Sequence, residues 1–510
     1  MIKNKGQIAG SIILSYGTTA FYILAGLVYT PFLIHKLGLS DYGLYTLVMS
    51  LATSLSVDFG LGKAQARFIA RYLSEGKSYM VGNLLGITVK LYLMLDAVLF
   101  LILALVNFYT DNIFTNLSPF EIERFKVILF ISTIFIIFSF PLLSAGGIFV
   151  AYEKIIQLKI IELCYKVTSI LSLVTVLLLG GGLYVVVAVF VSCNLFFQII
   201  KLLYLHYVMH LRINIRYKDK TLLKKIGRFS LWTTLSMVAT SLFIPLIPTS
   251  LAIVANTNEI ALFAIVATII TSITMVTTSM NSVFLPVVTQ LVVHRSDNEE
   301  YTKLMISVGR INLYIIGFLI LVLICFGKEL FFFWLGAGFE KSYYALMIVL
   351  FPFLFHPTQN IANELCYVND KVKYLAIVHC TGSLICLFLT LWLGKYLGVL
   401  GAAIALSISY VFAYNLLADF FYYKLFHLNI VKFLYNCQVK IFPSFIVSIL
   451  LGELFNIMVS SNIVNLLIKT VLLLLVYMAS IYLLALNKQE KRLILSLIAK
   501  CKKKYNSLYK

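Results

Sequence analysis

The chain has 510 residues, 61% of them hydrophobic and 12% charged, with a mean hydropathy of +0.96. Soluble domains average about 45–50% apolar and about 25% charged residues, so no soluble core accounts for this composition and lipid must solvate most of the chain. The net charge of +20 would suggest nucleic acid in a soluble protein. Here the cations fall between apolar runs on alternate sides, which reads instead as topology signals and contacts to anionic membrane lipids.

A membrane span needs roughly 20 apolar residues. Fourteen such runs are expected in chain order, at 12–34, 42–59, 81–106, 127–150, 158–179, 184–205, 230–251, 260–288, 304–326, 344–362, 374–393, 399–421, 441–459 and 463–486. The first is too long for a cleaved signal peptide and is taken as a true span. Ser118-Pro119-Phe120-Glu121 supplies a capping box with proline in the first turn. Asn256 caps the eighth span in a similar way. Gly82 and Gly86 give the third span a small face that predicts close approach of another helix.

With the N-terminus inside, cytoplasmic segments hold about 32 Lys and Arg against about six outside, so both termini are expected in the cytoplasm. The outer loops are short, and no large extracytoplasmic domain is present to catalyse or bind. No GxxxxGK[ST] cradle and no DxD pair occurs. The eight Cys show no CxxC spacing, and the seven His form no HExxH. His206 and His210, four apart, read as an interfacial pair. No metal or cofactor is expected, and no catalytic residue.

The first hairpin is echoed about 215–220 residues later. Ser15-Tyr16-Gly17-Thr18-Thr19 lies over Ser230-Leu231-Trp232-Thr233-Thr234, and Ser40-Asp41 over Asn258-Glu259. Lys90 lies over Arg310, Glu153-Lys154 over Asp370-Lys371, and Gly182 over Gly398. Six spans per copy is an even number, so both copies enter the membrane in the same direction. The expected fold is all-α integral membrane: two six-helix lobes related by a pseudo-two-fold along the membrane normal, plus two appended helices. The expected domains are an N-terminal lobe at 1–220, a C-terminal lobe at 221–435, and the appended pair with a basic tail at 436–510.

Tyr29-Thr30-Pro31-Phe32-Leu33-Ile34-His35-Lys36-Leu37-Gly38, Asp41-Tyr42-Gly43-Leu44-Tyr45 and Asp58-Phe59-Gly60-Leu61-Gly62, followed by Arg67 and Arg71, resemble the polysaccharide-unit flippases. These include the O-antigen and capsule flippases of the multidrug/oligosaccharidyl-lipid/polysaccharide exporter superfamily. The resemblance implies movement of an undecaprenyl-diphosphate-linked oligosaccharide from the inner to the outer leaflet of the bacterial cytoplasmic membrane. It also implies work alongside a polysaccharide polymerase and chain-length machinery. Charged residues found in the first span of the related lipid II flippases are absent from 12–34, which argues against a peptidoglycan role.

An ionisable group inside a span costs roughly 2.5–3.5 kcal/mol unless it finds a partner or water. Lys90 and Arg310 are repeat equivalents, expected to meet the substrate diphosphate, with snorkelling to the surface as the competing reading. Lys63, Arg67 and Arg71 form an i, i+4, i+8 stripe expected to collect the anionic head group. Glu162 and Lys166, four apart, are expected to pair, with Lys166 also a head-group candidate. Asp58, Asp96 and Glu162 are the ion-coupling candidates. Lys469, in the appended pair, is expected to matter less than Lys90. An ion-coupled multidrug exporter and an integral-membrane polymerase or glycosyltransferase are the alternatives. The basic inner side disfavours the first for small cationic drugs, and the short outer loops disfavour the second.

Overall fold

The structure, a computed structural model, describes residues 5–55, 59–211, 213–281, 284–293, 297–458, 462–488 and 490–492. Among these the regular elements are all helical. The main helices are α1 (Lys5–Leu37), α2 (Leu39–Leu55), α3 (Leu61–Ser74), α4 (Tyr79–Phe108), α5 (Pro119–Ser139), α6 (Ile155–Leu178) and α7 (Leu183–Leu203). They continue with α8 (Lys220–Phe243), α9 (Leu246–Val254), α10 (Thr257–Asn281), α11 (Leu285–Val293), α12 (Asn298–Leu335) and α13 (Glu340–Phe353). The last four are α14 (Val372–Leu397), α15 (Val399–Ser409), α16 (Phe442–Met458) and α17 (Ile463–Ser480).

Among the described residues twelve helices are long and apolar enough to cross a membrane, and the bent pair Leu231–Phe243 and Leu246–Val254 brings the number to thirteen if it is counted as one span. The expected second span falls on α2, which has 17 described residues. It runs up to residues 56–58, outside the described ones, so a count of fourteen is not reached among the described residues.

Local chemistry sets the helix ends. Ser118 and Glu121 form the full capping box at the start of α5, and Asn256 Oδ1 accepts from the Glu259 N–H at 3.1 Å near the start of α10. The glycine pair of α4 does something other than expected. A Cβ on Gly86 would lie 1.8 Å from the Asn214 carbonyl oxygen, and the Asn214 N–H donates to Gly82 O at 3.0 Å. The small face therefore receives the loop after α7, not another helix.

Backbone conformation repeats where the sequence does. Glu153 and Asp370 both adopt left-handed φ, at 57° and 55°, and so do His210 and His427, at 52° and 48°. Both pairs are separated by 217 positions. The turns at the first pair close identically: Lys154 N–H donates to Phe149 O and Lys371 N–H to Cys366 O, each at 2.8 Å. Side-chain contacts are also reciprocal. Thr19 Oγ1 meets Ser279 Oγ at 3.2 Å, and its repeat counterpart Thr234 donates to the Phe59 carbonyl. Copies related by a two-fold exchange contacts in this way.

By packing, the chain forms two compact units: 1–279 with 344–349 and 366–418, and 280–343 with 350–365 and 419–510. In the first, Leu84, Tyr92, Phe140 and Phe149 build a fully buried cluster with Ile69 of α3. α3 can approach because Gly147 lacks a Cβ, which would lie 2.4 Å from the Gly62 carbonyl oxygen. In the second, α12 is the centre. Met305, Ile316 and Phe326 are fully buried, and Gly317 makes room for the Phe445 ring and the Tyr477 hydroxyl.

Candidate functional site

Gly60, at φ 69°, turns the chain into α3. The helix carries Lys63, Arg67 and Arg71, but the Lys63 side chain and all of Asp58 lie outside the described residues. Arg67 is exposed. Arg71 Nε donates to Glu75 at 2.7 Å, and Lys77 donates to the other Glu75 oxygen at 2.8 Å. The hydrogen bonds from Lys77 and Arg71 hold the Glu75 carboxyl down at about 2. Part of the stripe's charge is therefore answered by a carboxylate from the same turn.

Lys90 is half-buried on α4, and its Nζ donates to the Tyr217 carbonyl at 2.9 Å. Its ammonium holds the loop after α7 against α4, beside the Gly82–Gly86 contact. Asp96, two turns further, is 6% exposed and its Oδ1 has no hydrogen-bond partner.

The pairing expected between Glu162 and Lys166 does not form. Glu162 accepts from Lys159 at 2.9 Å, one turn back on the same helix. Lys166 instead places its ammonium over the Tyr22 ring, 5.5 Å from the centroid. The Tyr22 hydroxyl donates to the Glu162 carbonyl at 2.9 Å, which ties α1 to α6. From α7, half-buried Lys201 lies within electrostatic reach of Glu162 and Lys159. Lys159, Glu162 and Lys166 fall at i, i+3 and i+7, one face of α6. Three cations and one anion thus gather among apolar helices, with two positive charges in excess.

Arg310 is placed differently from Lys90. In the second unit it is 1% exposed, and its guanidinium is almost fully committed. It donates to both Glu490 oxygens at 2.7 and 2.8 Å, to Asn436 O and Ala485 O at 2.6 Å, and to the Tyr314 hydroxyl at 2.5 Å. Sequence equivalence with Lys90 is not matched by equivalent chemistry. Lys469, expected to matter less than Lys90, is fully buried and donates to Glu329 at 3.0 and 3.2 Å.

At the other end of the first unit, Arg124 pairs with Asp41 at 2.5 Å. Glu121 accepts from Ser40 at 2.8 Å and from Thr257 at 2.5 Å. A Cβ on Gly43 would lie 2.2 Å from the Thr257 carbonyl oxygen.

The model of the family described as "Polysaccharide biosynthesis protein" matches residues 8–292, more than half of the chain. The chain belongs to that family. No curated protein matches it in sequence. Among solved structures, the lipid II flippase MurJ in an inward closed conformation is similar, with TM-score 0.69 and 14% identity over 92% of this chain and 98% of that one. An inward-facing MATE multidrug transporter of the MOP superfamily matches with TM-score 0.58 and 16% identity, covering 85% and 96%. The MATE transporter DinF-BH in complex with R6G matches with TM-score 0.61 and 16% identity, covering 84% and 98%. These neighbours are flippases and transporters rather than enzymes. This polysaccharide biosynthesis protein thus has the fold of the multidrug/oligosaccharidyl-lipid/polysaccharide exporter superfamily.

In this family member, the residues that carried the resemblance have structural work. Asp41 and Gly43 fix the turn between α1 and α2 against α5 and α10. Sequence reasoning missed Lys159 and Lys201, which sit near span ends and read as topology charges. The i, i+3, i+7 spacing of Lys159, Glu162 and Lys166 was a usable signal. It also missed His379, whose Nδ1 lies 2.9 Å from the hydroxyls of both Ser236 and Thr240 inside the first unit. Its ring stacks on Tyr414. Among the described residues no group of His, Cys, Asp and Glu is placed to hold a metal ion.

Proposed function

We propose that this protein is a flippase for lipid-linked polysaccharide repeat units. It carries an undecaprenyl-diphosphate-linked oligosaccharide from the cytoplasmic to the outer leaflet of the bacterial cytoplasmic membrane, by alternating access of its two repeats. Both termini are cytoplasmic, and a polymerase and chain-length machinery take the product. The observation that carries this reading is the excess of cations held among apolar helices, in a chain of the polysaccharide biosynthesis family. A lysine inside a bilayer costs roughly 2.5–3.5 kcal/mol, so evolution keeps it there only for a compensating partner. A diphosphate has the complementary charge and must cross the same low-dielectric region. The exposed cations of α3 collect the head group, and Lys90, Lys166 and Lys201 accompany it inward. Asp96, with a buried unpartnered oxygen, is the group we assign to ion coupling.

The test is the lipid intermediate in a deletion strain. Undecaprenyl-diphosphate-linked repeat units should accumulate at the cytoplasmic face, with surface polysaccharide lost. Surface polysaccharide of altered linkage, with no trapped intermediate, would instead place the protein with the polymerases. Export of a cationic dye by the purified, reconstituted protein would place it with the drug exporters.

A further inference from the structure

At the end of the first unit that carries the turn between α1 and α2, a residue touches its own repeat counterpart. The paired left-handed turns set the repeat at 217 positions. That makes Thr257, one before the sequence match, the counterpart of Ser40. Their hydroxyls lie 3.1 Å apart. A residue meets its own copy only where the two-fold axis passes, so the axis runs between Ser40 on α2 and Thr257 on α10.

One carboxylate joins both hydroxyls. Glu121 Oε1 accepts from Ser40 at 2.8 Å and from Thr257 at 2.5 Å, one donor from each repeat. Its other oxygen, Oε2, accepts from the Ser118 N–H and hydroxyl, both at 2.9 Å, as part of the cap of α5. The two oxygens therefore have separate tasks. Oε2 is held by its own helix whatever the repeats do, which keeps the carboxylate aimed at the axis. Oε1 holds the repeats to each other, and releasing it leaves the cap intact. The flanking contacts are polar as well: Arg124 of α5 pairs with Asp41 of α2 at 2.5 Å, and Asn116 donates to Ile253 O at 2.5 Å. Water replaces such bonds when helices part, so a closure of this kind is reversible. One turn deeper, at i+4 from Ser40 and Thr257 and on the same helix faces, Leu44 and Ala261 are fully buried.

We propose that Glu121 is the latch that keeps the two repeats closed at the outer end, and that its bonds to Ser40 and Thr257 break and re-form in each transport cycle. The inference rests on the flippase reading and its topology, which put this end outside, and it adds the residue that governs the opening. Charge-assisted hydrogen bonds are roughly twice as strong as neutral ones. The carboxylate, more than the hydroxyl pair by itself, sets the balance between closed and open.

The experiment is modification of Ala261→Cys by a membrane-impermeant, charged methanethiosulfonate added outside intact cells, with the protein lacking that cysteine as background. In Ser40→Ala/Thr257→Val the rate should rise at least about tenfold, the shift given by about 1.4 kcal/mol of lost closure. It should rise in Glu121→Gln as well, where charge assistance is lost. Thr257→Ser keeps the hydroxyl and should keep the slow rate. Ser118→Ala takes the hydroxyl from the cap of α5 without touching Oε1, and should also stay slow, whereas a protein merely loosened would react faster. Fast modification of Ala261→Cys alone, an unchanged rate in Ser40→Ala/Thr257→Val or in Glu121→Gln, or an equal rise in Ser118→Ala would each overturn the latch. If the deletion strain accumulates intermediate while the latch variants stay slow, the latch is wrong and the flippase stands. Faster modification as expected without accumulation would keep the latch and overturn the flippase reading.

Discussion

Replacing Lys469 with methionine removes the ammonium that faces Glu329 in the second unit. Lys469 has no exposed surface and gives both Glu329 oxygens a hydrogen bond, with Asn456 Oδ1 at 3.5 Å beside them. Removing one partner of a buried pair costs about 3–5 kcal/mol because the other charge is left in a poor dielectric. Glu329 keeps 20% exposure, which puts the expected loss near the lower end, about 3 kcal/mol. That is roughly a hundredfold in the folded-to-unfolded ratio. Lys469→Met/Glu329→Gln should recover most of it, because replacing both charges of a buried pair is often close to neutral. The assay is denaturant unfolding of the purified protein in mixed micelles, read by tryptophan fluorescence and arranged as a double-mutant cycle. A single-variant loss under about 0.5 kcal/mol, the range of ordinary surface changes, would refute the reasoning. So would a double variant as unstable as the sum of the singles.

Lys90→Ala should lower surface polysaccharide export about tenfold at normal protein level if about 1.4 kcal/mol of transition-state stabilisation is lost, with Lys90→Arg retaining much of it; normal export in Lys90→Ala would leave Lys90 as a loop anchor to Tyr217 alone. Gly43→Ala should destabilise the protein by about 1–3 kcal/mol, because the added methyl meets the Thr257 carbonyl. Gly26→Ala, with nothing within 4 Å, should not; equal folding yields would count against the contact. Reporters fused after Lys220 and at the C-terminus should report cytoplasm, and one within 107–118 the outside; a C-terminus reporting outside would break the even span count. The Glu75 carboxyl, held at about 2 against a usual 4.5, contributes its clamp above pH 4.5. That contribution is lost as pH falls through about 2, so carbon-13 titration of labelled Glu75 should show a midpoint near 2 and not near 4.5.

The bilayer makes much of this fold readable one residue at a time. Backbone polar groups in lipid must be satisfied within a helix, so a run of apolar residues already names its secondary structure. That is why the spans at 81–106 and 158–179 fall on α4 and α6 with small shifts. Capping chemistry is local too, and Ser118 with Glu121 could be paired from their spacing. The repeat was legible because it acts through backbone geometry: Glu153 and Asp370 take the same left-handed turn from similar short sequences.

Which charge meets which partner is a different kind of question, because rotamers and neighbouring helices decide it. Spacing allowed Glu162 to pair with Lys159 or Lys166, and only the placement of Tyr22 on α1 took Lys166 away. Lys90 and Arg310 are equivalent in sequence, yet one meets a loop carbonyl and the other a glutamate 180 residues further on. Glu490 lies beyond α17, where no periodicity points back to α12. The sequence by itself determined that the chain lives in lipid as repeated helices. Tertiary structure decided where its few charges stand, because inside lipid a charge turns to the nearest opposite or polarisable group, which for Lys90, Lys166, Arg310 and Lys469 stands on a distant segment of the chain.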